Sequence, residues 1–220
     1  MAYYYFPSCK ATAQFKEASK SARAYVNQKF GIAPIGCCRP NHKKLTAEDT
    51  ALVVCNNCAA IIEENTEASI EFLWQVIDQD PDFRFPDYHG EKMTVQDCWV
   101  AFEKRYVQDA VRSLLRKMNI EIVELQENYE KTKFCGVNLL SLCTESNAVL
   151  AHKRYVEQFP HMFTPMEPAE QVKHFQKHCE QITTEKVVCY CKFCTDAINM
   201  GGRKGIHILE LLFPAQIKNP

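Results

Sequence analysis

The chain has 220 residues, 46% apolar and 24% charged, an ordinary globular balance for one large domain or two small ones. Lys plus Arg is 26 against 27 Asp plus Glu, so the net charge is −1, which gives no electrostatic reason to expect nucleic acid or a membrane surface as partner. No apolar run approaches the roughly 18–20 residues of a membrane span, and residues 1–7 lack the basic start and apolar stretch of a secretory signal.

In chain order, a short strand-like run, Tyr5-Phe6-Pro7-Ser8, leads to Cys9, and Phe15, Ala18, Ala22, Tyr25 and Val26 then keep helical spacing. The apolar residues 32–35 lead to Cys37-Cys38, flanked by Gly36 and Pro40. Adjacent thiols converge only where the backbone turns sharply, and these flanking residues suit such a turn. Arg39, His42, Lys43 and Lys44 form a basic loop, either simply solvated or a contact for an anionic substrate or an acidic electron carrier. A strand over residues 52–55 feeds Cys55-Asn56-Asn57-Cys58 and a helix, and residues 78–87, rich in Asp, Pro and Phe, read as a turn-rich connection. Residues 1–90 make a first unit.

Residues 91–220 make a second, longer one. Met93-Thr94-Val95-Gln96-Asp97 is a strand ending at Cys98, and Val107, Ala110, Val111, Leu114, Leu115 and Met118 mark a helix. The apolar residues 120–125 lead to Phe134-Cys135-Gly136. An insertion follows, with Val149, His152, Val156 and Phe159 at helical spacing until residues 164–168 break it. Val172, Phe175, Cys179 and Ile182 share the face of a further helix, where Cys179 reads as core. His174 and His178, four apart on that helix, read as a solvated pair. A strand over residues 187–191 feeds Cys191-Lys192-Phe193-Cys194. Cys143 has no counterpart in the first unit and reads as packing. Cys189 stands two before Cys191, on the same side if the strand continues, and is a candidate replacement ligand.

The two units are copies. With Cys58 aligned on Cys194, Ile70, Phe72, Leu73, Val76 and Ile77 face Ile206, Ile208, Leu209, Leu212 and Phe213 without gaps. Cys9 matches Cys98, and Cys37-Cys38 matches Phe134-Cys135. Strands alternating with helices predict an α/β fold of two repeated β-α-β-type units with parallel strands. The cysteines fall at strand ends, where open α/β sheets bind ligands.

Twelve cysteines in a chain of this length need a chemical reason. Disulfide scaffolds are usually below about 80 residues and secreted, so a cytoplasmic, metal-binding set is expected. The first unit gathers five thiols: Cys9, then 27 residues, Cys37-Cys38, then 16 residues, Cys55 and Cys58. A closed zinc site takes four ligands, so five converging thiols favour an iron–sulfur centre. The second unit offers Cys98, Cys135, Cys191 and Cys194, with Phe134 at the fifth position.

The pattern Cys9…Cys37-Cys38…Cys55-x-x-Cys58, repeated once, resembles the cysteine-rich CCG domain found in the disulfide-cleaving component of heterodisulfide reductase. Related domains occur in iron–sulfur subunits of glycolate, lactate and glycerol-3-phosphate oxidation systems. The opening run to Cys9 and residues 205–213 also look like this family. The resemblance implies an oxidoreductase subunit of anaerobic metabolism with a noncubane 4Fe–4S cluster on Cys9, Cys37, Cys38, Cys55 and Cys58. There a small disulfide is cleaved, or formed, in two one-electron steps. Phe134 cannot ligate, so the second motif implies an ordinary 4Fe–4S cube on Cys98, Cys135, Cys191 and Cys194, or no cluster. No ferredoxin-like motif is present, which implies a ferredoxin-like or flavoprotein partner. The alternatives are a non-catalytic electron-transfer subunit and a zinc-stabilised binding module.

Overall fold

The computed structural model describes residues 2–158 and 162–215. The first unit contains β1 (Tyr3–Phe6), α1 (Cys9–Gln14), α2 (Lys16–Phe30), α3 (Cys38–Asn41), β2 (Thr50–Val53), α4 (Asn56–Asn65), β3 (Ser69–Phe72) and α5 (Leu73–Gln79). The second contains β4 (Glu91–Gln96), α6 (Arg105–Lys117), β5 (Ile120–Glu124), α7 (Glu145–Leu150), α8 (Pro168–Cys179), β6 (Lys186–Cys189), α9 (Lys192–Met200), β7 (Lys204–His207) and α10 (Ile208–Leu212).

Each unit is a parallel sheet flanked by helices, ordered β1-β2-β3 in the first and β5-β4-β6-β7 in the second. The orders match once residues 32–35 are considered. There the first unit makes only an isolated bridge, Tyr5 to Pro34, on the side of β1 where β5 lies beside β4. Pro34 has no N–H to extend a ladder. Every residue of β2 is buried, as are Val187, Val188 and Cys189 of β6. Central parallel strands are covered on both faces and therefore read as continuous apolar runs.

The helix expected from Phe15 to Val26 divides at Phe15, which leaves helical geometry (φ −102°, ψ 61°) and separates α1 from α2. The insertion is not one helix either. It runs as α7, a break at Ala151, and a π-helical turn over Lys153–Glu157; Phe159 lies outside the described residues. Residues 80–90 join the units without regular structure, as their composition predicts.

One buried core runs through both sheets. At the seam, the Phe15 ring stacks on His207 at 4.7 Å, and Tyr25 and Phe83 pack against Phe213. Among the described residues, no helix is long and apolar enough to cross a membrane.

Candidate metal and redox site

All strands in each sheet run the same way, so their C-terminal ends share an edge, and the cysteines stand just beyond it. Cys9 follows β1, Cys55 follows β2, Cys98 follows β4 and Cys191 follows β6. Cys55 and Cys191 are the residues entering α4 and α9. That step from strand to helix puts the second cysteine of each C-x-x-C pair in the first helical turn.

In the second set, the sulfurs of Cys98, Cys191 and Cys194 lie within 4.8 Å of one another and could hold a metal ion. Cys135 joins them with its sulfur 4.0 Å from that of Cys98. Gly136 permits this. It has φ +56°, and a Cβ there would stand 1.9 Å from the backbone oxygen of Phe193, inside the second C-x-x-C pair. Only glycine lets these two loops approach so closely.

The first set is strung out. Cys58 hydrogen-bonds with Cys38 and Cys55, while Cys9 contacts Cys37. Among the described residues, only the second set offers three such ligand atoms at one point. The thiols perturb one another strongly. The hydrogen bonds from Cys38 and Cys55, together with burial, push Cys58 well up, while the Cys58 hydrogen bond holds Cys38 and Cys55 down. Burial and then contact with Cys191 and Cys98 push Cys194 well up. Cys191 also rises: the Cys194 hydrogen bond lowers it, but the Cys98 contact and burial outweigh that. Crowded buried thiols resist ionising together unless a cation accompanies them.

The two sets meet. One cavity of about 260 Å³ is lined by Cys9, Cys37, Cys38, Cys55 and Cys58 from the first set and by Cys135 and Cys191 from the second. Tyr155, on the π-helical turn, stands between them. Its hydroxyl donates to Asn57 Oδ1 at 2.8 Å. Burial first, and then Cys135, Cys98, Cys55 and Cys191, push its pKa far above the ordinary phenol range. The insertion roofs the cavity with Thr144, Ser146, Asn147 and Tyr155. It is tied to α4 by Asn65 Nδ2 donating to the Leu150 carbonyl at 2.6 Å, and by the Lys153 and Arg154 amides donating to Glu64 at 2.8 Å each.

The second set has a rigid base. Asp97, fully buried, accepts from Arg112 at 2.8 and 3.0 Å, from the Tyr129 amide at 2.7 Å and from the Tyr190 hydroxyl at 2.9 Å. The same Tyr190 oxygen accepts from the Cys98 amide at 3.2 Å. Asp97 next to Cys98, and Tyr190 between two cysteines, are sequence signals of this base; Arg112 on its distant helix carries none.

Several expectations are corrected. His42 does not belong to an exposed basic loop: it is buried, and its Nδ1 donates to the Cys38 carbonyl at 3.0 Å, tying down the turn that carries the cysteine pair. Arg39 lines the cavity and reaches Asn147 Oδ1 at 3.4 Å, while Lys43 and Lys44 are exposed and outside its lining. His178 is not solvated. It is partly buried, its Nε2 donates to Gln96 Oε1 at 2.7 Å, and its ring stacks on Phe134 at 4.2 Å. Phe134 thus spends its ring on α8, where it also meets Phe175. The strand before Cys189 does not continue to Cys191, because β6 ends at Cys189. Cys189 is fully buried, and burial pushes its thiol well up. Cys179 is core, as expected, and Cys143 is half-buried beside the Thr144 carbonyl.

No family model, no curated protein and no solved structure matches this chain.

Proposed function

We propose that this chain is an iron–sulfur redox protein of the CCG type, which reduces or forms a small disulfide in the cavity between its cysteine sets. The observation that carries the reading is that thiols of both repeated units line one cavity. The donor set suits the group. The thiols are soft ligands gathered about one cavity, five of the nine buried, and mutually repelling as thiolates, and bound metal relieves that repulsion. Cys9, Cys37, Cys38, Cys55 and Cys58 would hold the first centre, and Cys98, Cys135, Cys191 and Cys194 the second. When bound, iron–sulfur groups supply single electrons at a sulfur-binding metal face.

The chain's own residues shape the rest. The insertion covers one side of the cavity, and the Tyr155–Asn57 hydrogen bond ties the two units together beside it. Opening a disulfide takes two electrons and two protons. The electrons come from a separate ferredoxin-like or flavoprotein carrier, for which the exposed edge beside Cys9, Arg39, Lys43 and Lys44 is the docking face.

Thiol release from a low-molecular-weight disulfide by pre-reduced, anaerobically prepared protein tests the reading. Turnover is expected, and Cys38→Ala is expected to abolish it while the second set keeps its metal. A reduced chain that passes electrons to an acceptor but never opens a disulfide would instead be a non-catalytic electron-transfer subunit.

A second reading has its own support for the second set. Zinc–sulfur bonds of about 2.3 Å place tetrahedral ligand sulfurs roughly 3.8 Å apart, close to the Cys98–Cys135 separation of 4.0 Å. A four-iron cube, being a larger body, spreads its sulfurs further. Zinc in the second set beside iron in the first would leave a single redox centre and a structural one.

A further inference from the structure

We infer that Tyr190 is the positioning residue that closes the second cysteine set: its hydroxyl braces the end of β4 against the end of β6 and so sets the approach of Cys98 to Cys191 and Cys194. This rests on the second set holding a metal, whether as an iron–sulfur group or as zinc. Tyr190 stands immediately before Cys191, and Asp97 immediately before Cys98. One phenol oxygen joins the two. It donates to Asp97 Oδ1 at 2.9 Å and accepts from the Cys98 amide at 3.2 Å. Tyr190 and Asp97 are both fully buried, so no water competes for these bonds. Behind them, Arg112 clamps Asp97 and is itself clamped by Glu124, at the end of β5, at 2.6 and 2.7 Å. Asn128 adds a tie: its Oδ1 accepts from the Asp97 amide at 3.3 Å, and its Nδ2 donates to the Val95 carbonyl at 3.0 Å. Three strands and α6 thus converge on the two residues that carry Cys98 and Cys191.

The first unit lacks the brace. With Cys9 set on Cys98, α2 and α6 fall in register: Ala18, Ala22 and Val26 stand opposite Val107, Val111 and Leu115, and Arg23 stands opposite Arg112. The arginine is present in both copies, but its partners are not. Ser8 stands where the second copy has Asp97, and Val54 where it has Tyr190. Ser8 Oγ accepts from the Ala11 amide at 3.3 Å, inside its own helix start, and a valine has nothing to donate. The Arg23 Nε is buried without a hydrogen-bond partner. Closure follows the same division. Cys9 is exposed where Cys98 is buried, and among the described residues only Cys98, Cys191 and Cys194 bring three ligand atoms within 4.8 Å. Groups that orient metal ligands from behind are worth about 10–100-fold in metal affinity.

Anaerobic titration of the reduced, metal-free full chain with cobalt(II), with zinc as competitor, tests this through the thiolate-to-cobalt absorption. It is run on the wild type and on Cys38→Ala, in which only the second set is complete. Tyr190→Phe removes the hydroxyl and keeps the ring. Expected is an affinity of the second set lower by about 10–100-fold, with altered absorption bands, and an unchanged affinity of the first set. Tyr88→Phe is the control. It loses a comparable hydrogen bond, from the linker to the Leu211 carbonyl at 2.9 Å, and should leave cobalt affinity unchanged at a similar drop in melting temperature. Affinities are compared below the melting transition of both variants. Equal affinity in wild type and Tyr190→Phe, or equal losses in the two phenylalanine variants, would overturn the inference and leave the metal reading standing. A wild-type second set that binds neither cobalt nor zinc would overturn both. The tenfold loss, with no disulfide turnover by the iron-loaded chain, would keep the brace and remove the redox reading alone.

Discussion

At the scale of single residues, buried groups with one permitted protonation state dominate. His207 is enclosed at the seam, its Nδ1 accepts from the Leu209 amide at 3.3 Å, and burial brings its pKa down to about 3. His178 is brought down to about 4 by burial and then by His174. Both rings are neutral when folded and take up protons near pH 6.5 when unfolded. The unfolded chain therefore binds more protons between about pH 6.5 and pH 4. Stability from these residues is complete above that window and falls as pH drops through it. Urea midpoints measured from pH 7.5 to pH 4 should decline, and His207→Phe should flatten the decline; a wild-type midpoint independent of pH would contradict this. Gly136 gives a second expectation. Gly136→Ala should cost more than about 2 kcal/mol, as strained left-handed backbone and overpacking each do, and should lower metal bound by the second set. A metal titration beside a denaturant melt reads both. Likewise Asp97→Ala takes one of two carboxylates from the buried Arg112, which keeps Glu124, and strips the Tyr129 amide and Tyr190 hydroxyl of their acceptor; it should destabilise by about 2 kcal/mol or more, seen as an early thermal transition.

At the scale of elements, the duplication was legible and the contacts between copies were not. Equal offsets from Cys58 and Cys194 predict β2 with β6, α4 with α9 and β3 with β7, and the two sheets follow that order. Periodicity is a local property, so it survives in sequence. The run 32–35 shows its limit. It is apolar enough for a strand, but the proline inside it leaves one bridge where the second copy has all of β5. Tyr155 shows another limit. Its partner Asn57 is 98 residues away, and nothing in a tyrosine's neighbours announces such a pairing. The strap from the insertion to α4 carries an expectation of its own. Tyr155→Phe removes one hydrogen bond, worth about 1 kcal/mol, and should raise hydrogen exchange in α4 and α7 while leaving the two sheets protected. Uniform exchange across the molecule would mean that the insertion and α4 do not move as a unit.

At the scale of the whole molecule, the two sheets share one core and place seven cysteines around one cavity. The cysteine spacing predicts two sets, and thiols of both line the one cavity. It did not carry how tightly each set closes: the complete five-thiol motif is the more open, and the four-thiol motif is the one with three ligand atoms within 4.8 Å. Phe134 explains part of this, since its ring packs on α8 and leaves the sulfurs of the second set to one another. We propose that these sulfurs hold iron–sulfur groups. The most direct test is iron, zinc and acid-labile sulfide analysis, with electron paramagnetic resonance, on protein purified without oxygen. Expected is a brown protein with iron and sulfide in comparable amounts, and a paramagnetic signal that Cys38→Ala removes from the first set. A colourless protein with stoichiometric zinc and no sulfide would contradict it.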